Sequence, residues 1–181
     1  MIDIYEHKYQ IMKAFVIWYI VYYIIKNLAL YFQNQLVYVP AAPSEEYRYP
    51  DQNPKGLRSP SEFKLPFVDI SVKTSDGYSL KGWFITQPTP KSAVTLIFFQ
   101  GNGGNIGNRL MNLCELYKNL KCNIVIVGYR GYGYSEGKPT EQGLQTDSLA
   151  VLDWVLKEES IDNSKVFVFG RSLGGAVAVY L

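Results

Sequence analysis

A short apolar run, VFVF at residues 166–169, leads directly into Gly170-Arg171-Ser172-Leu173-Gly174 and then into the apolar stretch GAVAVYL. A strand that must become a helix within so few residues leaves room for little but glycine two positions before and two after the serine. The serine hydroxyl is then thrown out at the carboxyl edge of a sheet. It stands over a helix N-terminus, whose dipole favours developing negative charge. Ser172 is therefore the candidate nucleophile, and the backbone N–H of Leu173 is a candidate donor to an oxyanion. The competing reading is a purely structural strand-to-helix turn.

The rest of the chain supplies the sheet that such a turn requires. Val68, Ile70 and Val72 alternate with Asp69, Ser71 and Lys73, as in a half-buried strand. Asp76-Gly77 is a hairpin signal, and residues 78–86 return as a second strand. Residues 93–99, AVTLIFF, and 123–127, NIVIV, are continuous apolar runs of the kind found in strands covered on both faces. Between them Ile106, Leu110, Leu113, Cys114 and Tyr117 recur at helical spacing. Leu144, Ser148, Val151, Leu152 and Val155 form a second helical stripe, with Thr140 as its N-cap. Alternating strands and helices predict a mostly parallel, doubly wound α/β sheet with an antiparallel first strand.

A second glycine-rich segment, Gln100-Gly101-Asn102-Gly103-Gly104-Asn105, directly follows the AVTLIFF strand. Acyl transfer passes through an oxyanion that wants two aligned N–H donors. The N–H of Asn102 is the expected partner to that of Leu173. The alternative is a phosphate-binding loop, but the G-x-G-x-x-G spacing and the lysine of a P-loop are both missing. A third loop, residues 129–137 (YRGYGYSEG), is rich in tyrosine and either lines a pocket near Ser172 or packs the surface. Arg130 and Arg171 either line the site or fix the loops, the latter being the preferred reading, and Asp147 and Asp153 are read as lying on solvated or capping helix faces. Cys114 and Cys122, two cysteines in all, are expected to be free buried thiols. No cofactor or metal is called for.

At the other end, residues 11–32 read IMKAFVIWYIVYYIIKNLALYF. A helix of that length is about 33 Å long, enough to cross a hydrocarbon core of about 30 Å. Lys13 and Lys26 flank its apolar centre. A cleaved signal peptide would show small residues after a compact apolar stretch; here bulky residues and Lys26 follow. A buried core helix is the other alternative. A single transmembrane helix is the preferred reading, with the lipid bilayer as partner. Lys8 and Lys13 precede it, so the positive-inside rule places the N-terminus in the cytoplasm. The proposed organisation is a membrane segment over 1–35, a proline-rich connection over 36–66, and an α/β domain over 67–181. The net charge of +2 and the lack of any basic run argue against nucleic acid.

Three ordered motifs, FFQGNGGNIGNRL, GYRGYGYSEGKPTEQGLQTD and VFGRSLGGAVA, resemble the α/β-hydrolase superfamily. Within it, the resemblance is to the membrane-anchored group related to alpha/beta-hydrolase domain-containing protein 13. It extends over residues 67–181 and implies a serine hydrolase acting on ester, thioester or amide acyl groups. Two departures stand out. Gln100-Gly101 replaces the His-Gly of the family pattern, and the Gln100 side chain is expected to hydrogen-bond the backbone instead. The family order also places an acid and then a histidine after the nucleophile. Neither occurs among residues 173–181, and the single histidine is His7. The sequence thus reads as the N-terminal half of such a domain, or as a non-catalytic relic that acts by binding. Its VFVF strand, without a neighbour on one side, is expected to prevent stable folding in isolation.

Overall fold

The computed structural model describes residues 4–181, which divide into two compact units that meet in the chain at Val37 and Tyr38. The first unit is helix α1, Ile4–Val37, of 34 residues. Its span from Tyr5 to Val37 has a mean hydropathy of 1.5 and no buried residues. Between Lys13 and Lys26 its exposed residues are all apolar or aromatic, among them Phe15, Trp18, Tyr22 and Ile25. The Asn27 amide donates to the Tyr23 carbonyl at 2.6 Å, so its polar head is partly satisfied along its own helix. The helix extends about two turns before and about a turn and a half after the 11–32 stretch.

The second unit, Tyr38–Leu181, is built on one five-stranded sheet. Strands β1 (Phe67–Lys73) and β2 (Ser79–Ile85) form an antiparallel hairpin. The turn closes where Thr74 Oγ1 donates to Asp76 Oδ1 at 2.6 Å and Gly77 takes a φ of 94°. Strands β3 (Thr95–Phe99), β4 (Asn123–Val127) and β5 (Val166–Gly170) complete the sheet in the order β1-β2-β4-β3-β5. The β2–β4 pairing is antiparallel, and β4–β3 and β3–β5 are parallel. This is the expected doubly wound arrangement with an antiparallel opening.

Alternation along the strands divides the core into two layers. Trp83, Ile85, Phe98, Ile124 and Ile126 face Leu110, Leu113 and Cys114 of helix α2, Leu110–Leu120. Phe84, Ile97, Phe99, Val125 and Val127 face the other way. There they meet Leu144, Val151 and Val155 of α3 (Glu141–Leu156) and Val177 of α4 (Leu173–Tyr180). Thr140 caps α3 as predicted, its side chain accepting from the Gly143 N–H at 3.0 Å. Cys114 and Cys122 are both buried and free, and burial raises the Cys122 pKa.

Residues 38–66 pack as part of this second unit. They carry three short 3-10 turns, bury Pro50, Asn53, Pro60 and Leu65, and reach into both core layers through Tyr38 and Leu65. Asp147 is the clearest departure from the sequence reading. It is 1% exposed rather than solvated, and it binds Arg130. Helical spacing placed it on the stripe of Leu144 and Val151, and that stripe faces the sheet. Asp153 is exposed, as expected, and pairs with Lys157 at 2.6 Å.

Candidate active site

Ser172 lies between β5 and α4 with φ 52° and ψ −119°, a left-handed conformation that a residue with a Cβ adopts only under constraint. The constraint comes from the packing around it. A Cβ on Gly170 would collide with the Gly174 carbonyl, and one on Gly174 would collide with the Phe99 carbonyl. The turn is tied down by Arg171 N–H to Phe99 O at 3.2 Å, Gly174 N–H to Arg171 O at 2.9 Å and Gly175 N–H to Ser172 O at 2.8 Å. The Ser172 hydroxyl does not cap α4, and the residue is exposed. Strain at such a residue costs on the order of 1–3 kcal/mol and persists only where the surroundings over-determine it.

The loop after β3 is brought to the same place. A Cβ on Gly101 would stand 3.8 Å from the Ser172 Cβ, so the two segments lie side by side. The Asn102 side chain is held from two directions: its Oδ1 accepts from the Tyr132 hydroxyl at 2.7 Å and from the Val39 N–H at 3.1 Å. Asn105 is fully buried. It exchanges hydrogen bonds with Asn53 at 2.9 and 3.0 Å and donates to the Tyr47 carbonyl. The loop is therefore clasped by residues 38–66, the stretch that the sequence marks as a proline-rich connection laid over the domain surface.

Gln100 behaves differently from expectation. Its carbonyl accepts from the Tyr129 hydroxyl at 2.9 Å, but neither atom of its fully buried side-chain amide has a hydrogen-bond partner among the described residues. The polar head of Gln100 thus lies in a place that supplies no partner to it among the described residues. Arg109, in the same loop, has its Nε buried without a partner and its pKa lowered, first by burial and then by the charge of Arg171.

The tyrosine-rich loop after β4 neither lines a pocket around Ser172 nor merely decorates the surface. Tyr129 and Tyr132 are fully buried and brace the Gln100–Asn102 segment through their hydroxyls, Tyr129 at the Gln100 carbonyl and Tyr132 at the Asn102 side-chain oxygen. Burial raises both phenol pKa values well above the ordinary range. Tyr134 turns outward instead, stacks on Tyr49 and bonds Asp51, which holds its pKa up at about 12. Arg130 pins the loop. Its guanidinium meets Asp76 at 2.7 Å and Asp147 at 2.8 Å, and its own N–H donates to Asp147 at 2.8 Å. It also lies over the Tyr78 ring, 4.9 Å from its centroid. Burial pushes the Asp147 carboxyl up against the pull of Arg130, whereas Arg130 and Thr74 hold Asp76 down at about 2. Arg171 is exposed and reaches Asn112 at 3.4 Å, outside this network.

A cavity of about 540 Å³ lies against β1 and β2, lined by Phe67, Trp83, Ile106 and Tyr132 among others, and Ser172 is not part of it. Among the described residues no cluster of His, Cys, Asp and Glu is arranged to hold a metal ion. His7, the single histidine, belongs to α1, the unit other than the one holding Ser172.

The strained serine turn, the glycine loop against it and the doubly wound sheet define an α/β-hydrolase domain, and the chain belongs to that superfamily. No protein-family model matches the chain. Over 154 residues it is 42% identical to the alpha/beta hydrolase domain-containing protein WAV2 of Arabidopsis thaliana, covering 85% of this chain and 48% of that protein. It is 38% identical over 138 residues to the protein bem46 of Schizosaccharomyces pombe, covering 74% of this chain and 46% of that one. A Saccharomyces cerevisiae relative, 30% identical over 83% of this chain and 50% of its own length, is described as a membrane protein. Among solved structures, an esterase of Pyrococcus furiosus aligns with a TM-score of 0.57 at 23% identity, over 67% of this chain and 48% of that one. The chain thus spans about half the length of the curated relatives it matches.

Proposed function

We propose that this chain carries the nucleophile and oxyanion half of a membrane-anchored serine hydrolase acting on ester, thioester or amide acyl groups. The observation that supports this most is the left-handed backbone of Ser172, at the turn from β5 to α4 and close beside Gly101, where an added Cβ would stand 3.8 Å from the Ser172 Cβ. In this reading Ser172 Oγ attacks the acyl carbonyl as a base removes its proton. The carbonyl oxygen becomes an oxyanion, and the N–H groups of Asn102 and Leu173 take up its charge. The leaving group departs with a proton, and water then releases the acyl group from the serine. No cofactor takes part. Helix α1 serves as the anchor, with its N-terminus on the cytoplasmic side.

A second reading, a non-catalytic membrane-bound binding protein, draws on one observation: residues 38–181 contain no histidine to act as the base. A fluorophosphonate probe separates the two. In membranes of cells that make the protein, the probe is expected to label Ser172, and Ser172→Ala is expected to abolish labelling. The 181-residue chain expressed by itself is expected to label weakly, since a serine without a base stays protonated. Absence of labelling in native membranes would leave the binding reading. The anchor is tested by alkaline carbonate extraction: the protein stays in the pellet, and recovery in the soluble fraction would remove α1 from the membrane.

A further inference from the structure

Residues immediately beyond α1 enter the site described above. We infer that Tyr38 and Val39 form a positioning strap for the oxyanion loop, an inference that rests on the Ser172 reading.

The bonds are reciprocal. The Val39 N–H donates to Asn102 Oδ1 at 3.1 Å, and the Gly104 N–H donates to the Val39 carbonyl at 3.1 Å. One short backbone segment thus holds the loop on both sides of Gly103. Gly104 adopts a φ of 76°, a left-handed bend that curls the loop around the strap. The strap is itself anchored, because Tyr38 is 8% exposed and packs in the core layer that contains Phe99, Tyr129 and Tyr132. The Tyr132 hydroxyl completes the arrangement as the second donor to Asn102 Oδ1, at 2.7 Å.

The physical consequence follows from what an oxyanion hole needs. Its donors must stand within a few tenths of an ångström of where the charge develops, and losing one costs about 10²–10³ in kcat. A glycine-rich loop does not hold such a position unaided. Here the Asn102 side chain is gripped by two donors, and the grip sets the orientation of the peptide on which the proposed N–H donor sits. The Val39 side chain is 43% exposed, and its contribution is made by its backbone alone. Because α1 ends at Val37, the stretch that leaves the apolar helix is the one built into the catalytic loop.

The test uses the full protein in its native membranes with three variants. Asn102→Ala removes the acceptor of both bonds, Val39→Pro removes the strap's donor, and Asn102→Asp keeps an acceptor oxygen. Two readouts are followed: fluorophosphonate labelling of Ser172, resolved into maximal rate and half-saturation, and hydrogen exchange of the peptide covering residues 101–105. For Asn102→Ala and Val39→Pro we expect the maximal labelling rate to fall about tenfold or more, with half-saturation unchanged. Exchange in 101–105 should rise, while that of 123–127 stays as in the parent. Asn102→Asp should recover most of the rate, which a merely structural loss would not do. Parent-like exchange in both disrupting variants overturns the strap, as does an Asn102→Asp variant no faster than Asn102→Ala. If the parent is not labelled at Ser172, the nucleophile reading falls, and exchange alone then decides the strap.

Discussion

Strands β4 and β5 are written in nearly the same alphabet, NIVIV against VFVFG, yet they end in opposite environments. Every residue of β4 is buried, whereas Phe167, Val168 and Phe169 of β5 are 58%, 40% and 42% exposed. The cause is position in the sheet. β4 lies between β2 and β3 with α2 on one face and α3 on the other, while among the described residues β5 pairs only with β3. An apolar run therefore states what a strand requires and leaves open whether the requirement is met. The loops that follow differ in the same way. β4 leads into a loop pinned by Arg130, Asp147 and Asp76, and β5 leads into exposed Arg171 and Ser172.

The widest gap should appear in core truncations. Ile126→Ala in β4 is expected to cost about 2–5 kcal/mol, the range for removing a fully buried aliphatic side chain. Phe167→Ala in β5 should cost less than about 1 kcal/mol, since more than half of that side chain is already in water. Chemical unfolding of the detergent-solubilised protein measures both wherever its transition is cooperative, the condition that the open edge of β5 puts to the test, and equal costs would erase the contrast between the strands.

A smaller effect, of the opposite sign, is expected at Gln100, which sits at the end of the covered strand β3 with its amide unpartnered. Gln100→Met removes a buried polar group of similar volume, and such groups cost about 1–3 kcal/mol when unmatched. The variant should unfold at a higher denaturant midpoint than the parent. A lower midpoint would mean that the amide contributes a bond after all.

The smallest effect concerns the pin on the β4 side. Asp76 has its pKa depressed from 3.8 to about 2, chiefly by its hydrogen bond from Arg130. A carboxylate with a depressed folded-state pKa stabilises above its unfolded value, and the contribution is lost as pH falls through the folded one. The difference in Tm between parent and Asp76→Asn should therefore be full above about pH 4 and close toward pH 2. Because Asp76 is 42% exposed, the difference should be modest and shrink with added salt. A Tm difference independent of pH would assign the effect to something other than this ion pair.

The sequence alone determined the elements and their order. Strand alternation, apolar runs, helical stripes, the Asp76-Gly77 turn, the Thr140 cap and the strand-to-helix turn at Ser172 all depend on contacts among near neighbours, and near neighbours leave a pattern. The length and apolarity of α1 were legible for the same reason. Tertiary structure decided the partners. That Asp147 is buried against Arg130, that Tyr129 and Tyr132 brace the loop after β3, and that the Gln100 amide finds nothing to bond all depend on residues far apart in the chain. Val39 is the extreme case. It acts on Asn102 and Gly104 through an N–H and a carbonyl that every residue but proline possesses. A contact made by the backbone leaves no residue type to read, so only the folded chain could place it beside Asn102.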